Sequence, residues 1–177
     1  MTIETLIEVV PPPATPFEAF DGPWEPIEAE LGTVLPQDYK NFVRLYGNGS
    51  FMEFLCVHTP TSGSIYVRLA PEVRTICKNL LIEDDLPYPL WPAPGGLLPL
   101  GKTDFGDYLF WLPRGPPADW KIVVWGRGLG QFEVFDCDLT DFLAGLAIGD
   151  MIPEDFPSHM LPCDHLFRPF SDWPARE

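Results

Sequence analysis

Positive charge is scarce in this sequence: 11 Lys and Arg stand against 26 Asp and Glu, for a formal net charge of −15, and the first basic side chain is Lys40. A chain so poor in cations repels phosphate backbones and anionic lipid headgroups, which argues against nucleic-acid and membrane-surface partners. Histidine is nearly absent, with only His58, His159 and His165. None of the three lies in a recognisable nucleophile–base pattern, so no catalytic residue is assigned and no enzymatic activity is expected. The four cysteines, at positions 56, 77, 137 and 163, are too dispersed for a small disulfide framework and are read as reduced thiols. No apolar run reaches the ~20 residues that span a bilayer. Residues 1–10 also lack the basic start and apolar stretch of a signal peptide, so the expected location is the cytoplasm.

What is present is acid, aromatic surface and proline. Residues 1–38 hold 8 acidic and 0 basic side chains, residues 39–130 hold 8 and 9, and residues 131–177 hold 10 and 2, so the acidity sits at the two ends. Such a field steers a basic protein inward and raises its association rate. The 13 Phe, 6 Trp and 5 Tyr, with 46% hydrophobic residues overall, are incompatible with a disordered chain. The 22 prolines fall mostly in short clusters and punctuate loops.

Along the chain, Ile3, Leu6, Ile7 and Val10 outline a short amphipathic helix that the triple proline 11–13 stops, and this lead-in is expected to stay outside the core. Trp24, Ile27 and Leu31 mark a helix closed by Gly32. Leu35, Tyr39, Phe42, Val43 and Tyr46 form one stripe between Pro36 and Gly47, the clearest helix in the sequence. Residues 51–58 and 64–69 read as a hairpin of two strands, and a further helix is expected from Pro71 through Leu81. Residues 86–99, crowded with proline and glycine around Tyr88 and Trp91, read as a long surface loop with the two aromatics either anchoring it or serving a binding surface. Residues 97–101, 107–112, 120–125 and 131–135 then read as an antiparallel meander, followed by a helix opened by Asp138 and closed by Gly149. The expected fold is α+β, with helices packed on one face of a mainly antiparallel or mixed sheet. Its divisions are a lead-in at 1–22, a domain at 23–150 and an acidic, proline-containing extension at 151–177.

Three local patterns carry little chemistry. Cys56-Val57-His58 and Cys163-Asp164-His165 contain zinc-ligand residue types, but a Cys-x-His inside an apolar run is ordinary core packing, and no metal or cofactor is expected. Asp104-Phe105-Gly106-Asp107 is turn chemistry before a strand. Gly126-Arg127-Gly128 joins two strands rather than a strand and a helix, so it is a hairpin loop and not a dinucleotide fingerprint.

The run Ile27-Glu28-x-x-Leu31-Gly32-x-x-Leu35-Pro36-x-x-Tyr39-x-x-Phe42-x-x-x-Tyr46-Gly47-x-Gly49 resembles the opening signature of the SUKH superfamily. Leu100-Gly101, Gly106-Asp107, Trp120 and Leu139-Thr140-x-Phe142-Leu143 continue the likeness, over about residues 24–149. The resemblance implies an α+β fold without catalytic residues. It implies binding to proteins: bacterial members are immunity proteins that neutralise polymorphic toxins, often nucleases, and fungal members are regulators of cell-wall synthesis. The principal expectation is therefore an immunity protein for a basic toxin domain, and the alternative is an intracellular regulatory scaffold docking on host proteins. The carboxylates expected to meet a basic partner are Glu133, on the strand face opposite Phe132 and Val134, and Asp136, Asp150, Glu154 and Asp155 at element ends or in the tail. The loop at 86–99 and the acidic tail lie outside the shared pattern and inherit no role from it.

Overall fold

In the computed structural model, which describes residues 3–82, 86–157 and 161–173, the elements follow the chain as α1 (Ile3–Val9), α2 (Glu25–Leu31), α3 (Gln37–Tyr46), β1 (Gly49–Phe51), β2 (Leu55–Val57), α4 (Leu69–Leu80), β3 (Leu98–Thr103), β4 (Tyr108–Leu112), β5 (Lys121–Gly126), β6 (Gln131–Phe135), α5 (Leu139–Ile148) and β7 (Phe167–Pro169). The seven strands make one sheet in the order β6-β5-β4-β3-β2-β1-β7, with every neighbouring pair antiparallel. The α+β class expected from the sequence is the class observed.

Local chemistry sets the helix ends. Pro36 precedes α3 with φ −58°, and Gly47 ends it at φ +66°, its N–H donating to the Val43 carbonyl. A side chain at Gly47 is excluded twice over, because a Cβ there would lie 2.2 Å from the Phe17 carbonyl oxygen. Asp138 caps α5 by accepting the Asp141 N–H, and Gly149 closes it at φ +84°.

The stripe of α3 delivers Tyr39, Phe42, Val43 and Tyr46 into the main core, each with at most 1% of its surface exposed. There Tyr39 packs edge-on to Trp111 of β4 at 5.0 Å, and Phe42 stacks on Tyr46 at 5.1 Å. Each such burial stabilises the fold by roughly 1.5–3 kcal/mol before chain entropy is counted. The tyrosine hydroxyls find backbone acceptors, Tyr39 on the His58 carbonyl and Tyr46 on that of Val10, so no polar atom of either ring is stranded.

The layering departs from the expectation of helices on one face. Leu109, Trp111, Ile122 and Val124 join the main core with α1, α3 and α5, while the alternate residues Phe110, Leu112, Val123 and Trp125 form a second cluster with Ile76 and Leu80 of α4. Because residues 109–112 of β4 and 122–125 of β5 are apolar at every position, both their faces need cover, and α4 with Tyr88 supplies the second.

Four further expectations are corrected. Residues 51–58 are not one strand: Met52 and Glu53 adopt φ of 50° and 61°, a turn that separates β1 from β2. Residues 64–69 are not a strand, because Ser62 and Ser64 hydroxyls accept the N–H groups of Ser64 and Tyr66 and hold the segment in turns, leaving Ile65 and Tyr66 exposed. Accordingly α4 starts at Leu69 rather than Pro71. The lead-in also belongs to the core, since Leu6 is fully buried and α1 packs against α5. In the tail, Phe156 is buried edge-on to Phe54 at 5.2 Å, and β7 adds to the free side of β1.

Candidate partner-binding surface

The five sequence-chosen carboxylates fall into three places. Glu133 sits on β6 with its side chain on the α5 side, the side on which Phe135 packs against Phe142 at 5.0 Å, while Phe132 faces the second cluster beside Tyr88 at 5.8 Å. Its Oε1 accepts the backbone N–H of Glu154 at 2.7 Å. Asp155 lies over the β5–β6 hairpin loop, where its Oδ2 accepts the Leu129 N–H at 2.8 Å. The loop glycines make that approach feasible, for a Cβ on Gly126 would come within 2.2 Å of the same oxygen. Glu133, Glu154 and Asp155 are thus brought together, and two of them latch the tail onto the hairpin. Asp136 lies beyond the far end of β6, exposed and paired with Lys121 at 2.7 Å. Asp150 follows α5, exposed, with its backbone N–H on the Gly145 carbonyl.

Sequence reading missed the company that Asp136 keeps. A shallow depression of about 410 Å³ is lined by Asp119, Lys121, Asp136, Asp138 and Asp141 together with Trp120, and Lys121 is its one cation among the described residues. Asp38 of α3 reaches the same helix start: its Oδ2 accepts the Leu139 N–H at 2.9 Å. Burial first, and then the charge of Asp138, raise Asp38 to about 6, against the opposing pull of the backbone donors of Tyr39, Leu139 and Thr140. Burial and Asp138 also raise Asp141. The spacing Asp136-x-Asp138-x-x-Asp141 before an apolar helix was a visible sign of this cluster; the contribution of Asp38 was not, because it is 101 residues distant from Leu139.

Elsewhere the polar groups have structural work. Asp107 receives the Thr103 hydroxyl at 2.7 Å and the Arg127 N–H at 3.0 Å, which fixes the turn before β4. Trp91 donates its indole N–H to the Leu31 carbonyl at 3.1 Å, so the loop at 86–99 is anchored by its aromatics. His58 is fully buried, and its Nε2 stands 3.9 Å from Glu72 Oε2, which pairs with Lys102 at 2.5 Å. Among the described residues no group of three His, Cys, Asp or Glu side chains is arranged to hold a metal ion, and His159 lies outside them. No helix among the described residues is long and apolar enough to cross a membrane.

A family model described as SMI1-KNR4 cell-wall, SUKH_6, matches residues 21–143, more than two thirds of the chain. The chain belongs to the SUKH superfamily. No curated protein and no solved structure matches it. SUKH proteins are in general non-enzymatic and bind other proteins. The matched span runs from just before α2 to the middle of α5, so α1, the latched tail and β7 lie outside it and pack around it.

Proposed function

We propose that this SUKH protein is an immunity protein that neutralises a cognate basic toxin domain by direct binding. The observation that supports this is the concentration of carboxylates around β6 and the start of α5, where a depression holds four aspartates and, among the described residues, Lys121 as its one cation. A nuclease or other toxin that works on a polyanion carries a basic surface, and carboxylates placed against it supply steering and register. Asp136, Asp150 and Glu154 are the exposed members of the proposed contact set; Glu133 and Asp155 contribute charge while holding the tail. The family description, which names the cell wall, favours a second reading as an intracellular scaffold docking on host proteins.

Co-expression with a toxin domain encoded beside this gene separates the two readings. Immunity requires rescue of growth and a stable complex, with an association rate that falls steeply between low and physiological salt. Asp136→Asn, Asp150→Asn and Glu154→Gln together should slow association without changing the unfolding midpoint. A toxin neighbour that is neither bound nor neutralised removes the immunity reading.

A further inference from the structure

The two ends of the sheet are finished differently. On one side the last strand is β7, only three residues long, carrying Arg168 and ending at Pro169, whose missing N–H stops further pairing. On the other side the last strand is β6, five residues in unbroken register with β5 from Gly126↔Gln131 to Ile122↔Phe135. It contains no proline, no lysine and no bulge, and its one charge is Glu133 at the centre. Every second residue of such a strand turns its N–H and C=O away from its neighbour. Among the described residues no backbone or side-chain hydrogen bond reaches those outward groups, and Val134 beside them is 46% exposed.

We propose that the outer edge of β6 is a strand-addition site for an extended segment of a partner protein whose residues alternate between apolar and basic. The alternation is dictated by β6 itself. A strand hydrogen-bonded to its edge sets one row of side chains beside Phe132 and Val134, where apolar groups gain burial. It sets the other row beside Gln131, Glu133 and Phe135, where the Glu133 carboxylate, with Glu154 close by, is complementary to a cation. A second copy of this chain fits poorly: antiparallel pairing of two β6 strands about their midpoint sets Glu133 against Glu133, between molecules that each carry −15. The proposal rests on the protein-binding role above and names how the partner is held.

The test uses the full chain, isotope-labelled for amide NMR, and a capped heptapeptide alternating Val and Lys as probe. At millimolar peptide the amides of residues 131–135 should shift, and the outward ones should become protected from hydrogen exchange. The same peptide methylated at every backbone nitrogen should lose both effects, as should the Val134→Lys chain, which keeps its fold because that side chain is already in solvent. Three results overturn the proposal: β6 amides that do not respond, a methylated peptide that binds equally and so reports charge attraction alone, or a free chain that sediments as a dimer with β6 already protected. Failure of the immunity reading looks different. If a toxin is neutralised while β6 stays unprotected, only the edge mode falls; if the peptide seats on β6 but no neighbouring toxin is bound, only immunity falls.

Discussion

Asp38 of α3 accepts the N–H of Leu139, so one helix is capped by a side chain that arrives from another helix 101 residues earlier in the chain. With Asp138 accepting the Asp141 N–H at 2.8 Å, two carboxylates share the first turn of α5. The helix dipole favours both, and their mutual repulsion and burial oppose them.

The first prediction concerns that pair. Asp38 titrates near 6 in the folded chain, above its ordinary value of 3.8. Between those values the folded state holds a proton that the unfolded state has released, so the penalty for the charged form is complete above about 6 and is relieved as pH falls toward 4. Asp38→Asn keeps an acceptor for Leu139 without the charge, so its urea midpoint should exceed that of the parent at neutral pH, with the gap closing on acidification. Asp38→Ala removes the cap and should cost about 0.5–2 kcal/mol. A gap that does not change with pH would remove the assignment of the raised value to Asp38.

A second titration runs the other way. His58 is buried, and burial followed by the Lys102 charge lowers it to about 3 from 6.5. The unfolded chain takes up a proton below 6.5 that the folded chain refuses, so stability is lost as pH falls through that window, at up to roughly 1.4 kcal/mol per pH unit. Neither ring nitrogen has a hydrogen-bond partner among the described residues, so His58→Leu should flatten the acid limb at little cost near neutrality. Acid denaturation curves of the two proteins, superimposed, would count against a neutral His58.

Core burial gives the third. Phe42 is 1% exposed and lies between Tyr46 at 5.1 Å and Phe51 at 5.9 Å. Phe42→Ala should cost about 3–5 kcal/mol, read as a lower denaturant midpoint at unchanged slope.

The fourth tests the latch. Gly126→Ala adds a Cβ where Asp155 now sits, so the tail around Asp155 and Phe156 should lift and become sensitive to protease while the β5–β6 hairpin survives. Asp155→Ala should do the same with less force, and the double variant should add little to Gly126→Ala. Equal protease resistance in all four proteins would mean that the tail is held by other contacts.

Much of this architecture was readable where punctuation and periodicity agreed. Pro36 and Gly47 bracket the α3 stripe, Asp138 and Gly149 bracket α5, and the turns between β3 and β6 carry glycine or proline. The break between β1 and β2 was hidden because Met52 and Glu53 take left-handed conformations without any turn residue to announce them. Residues 64–69 misled through β-branched content, which lost to serine hydroxyls bonding their own backbone. Of the candidate surface, the face occupied by Glu133 followed from strand alternation. Its bond to Glu154, the seat of Asp155 on Gly126 and the Asp38 cap all depend on segments far apart in sequence meeting in space, which periodicity does not encode.

The strand order carries a consequence for the time course of folding. From β1 to β6 every strand pairs with its successor in the chain, whereas β7 returns to β1 across more than a hundred residues and α1 packs on α5 from the opposite terminus. The β1–β2, β3–β4, β4–β5 and β5–β6 pairings close short loops and are expected to form first; the two terminal dockings close the longest loops and are expected to follow the rate-limiting step. Leu6→Ala, at the fully buried contact of α1, should therefore speed unfolding severalfold and leave the refolding rate nearly unchanged, so that the segments outside the matched SUKH span act as clasps on a sheet already assembled.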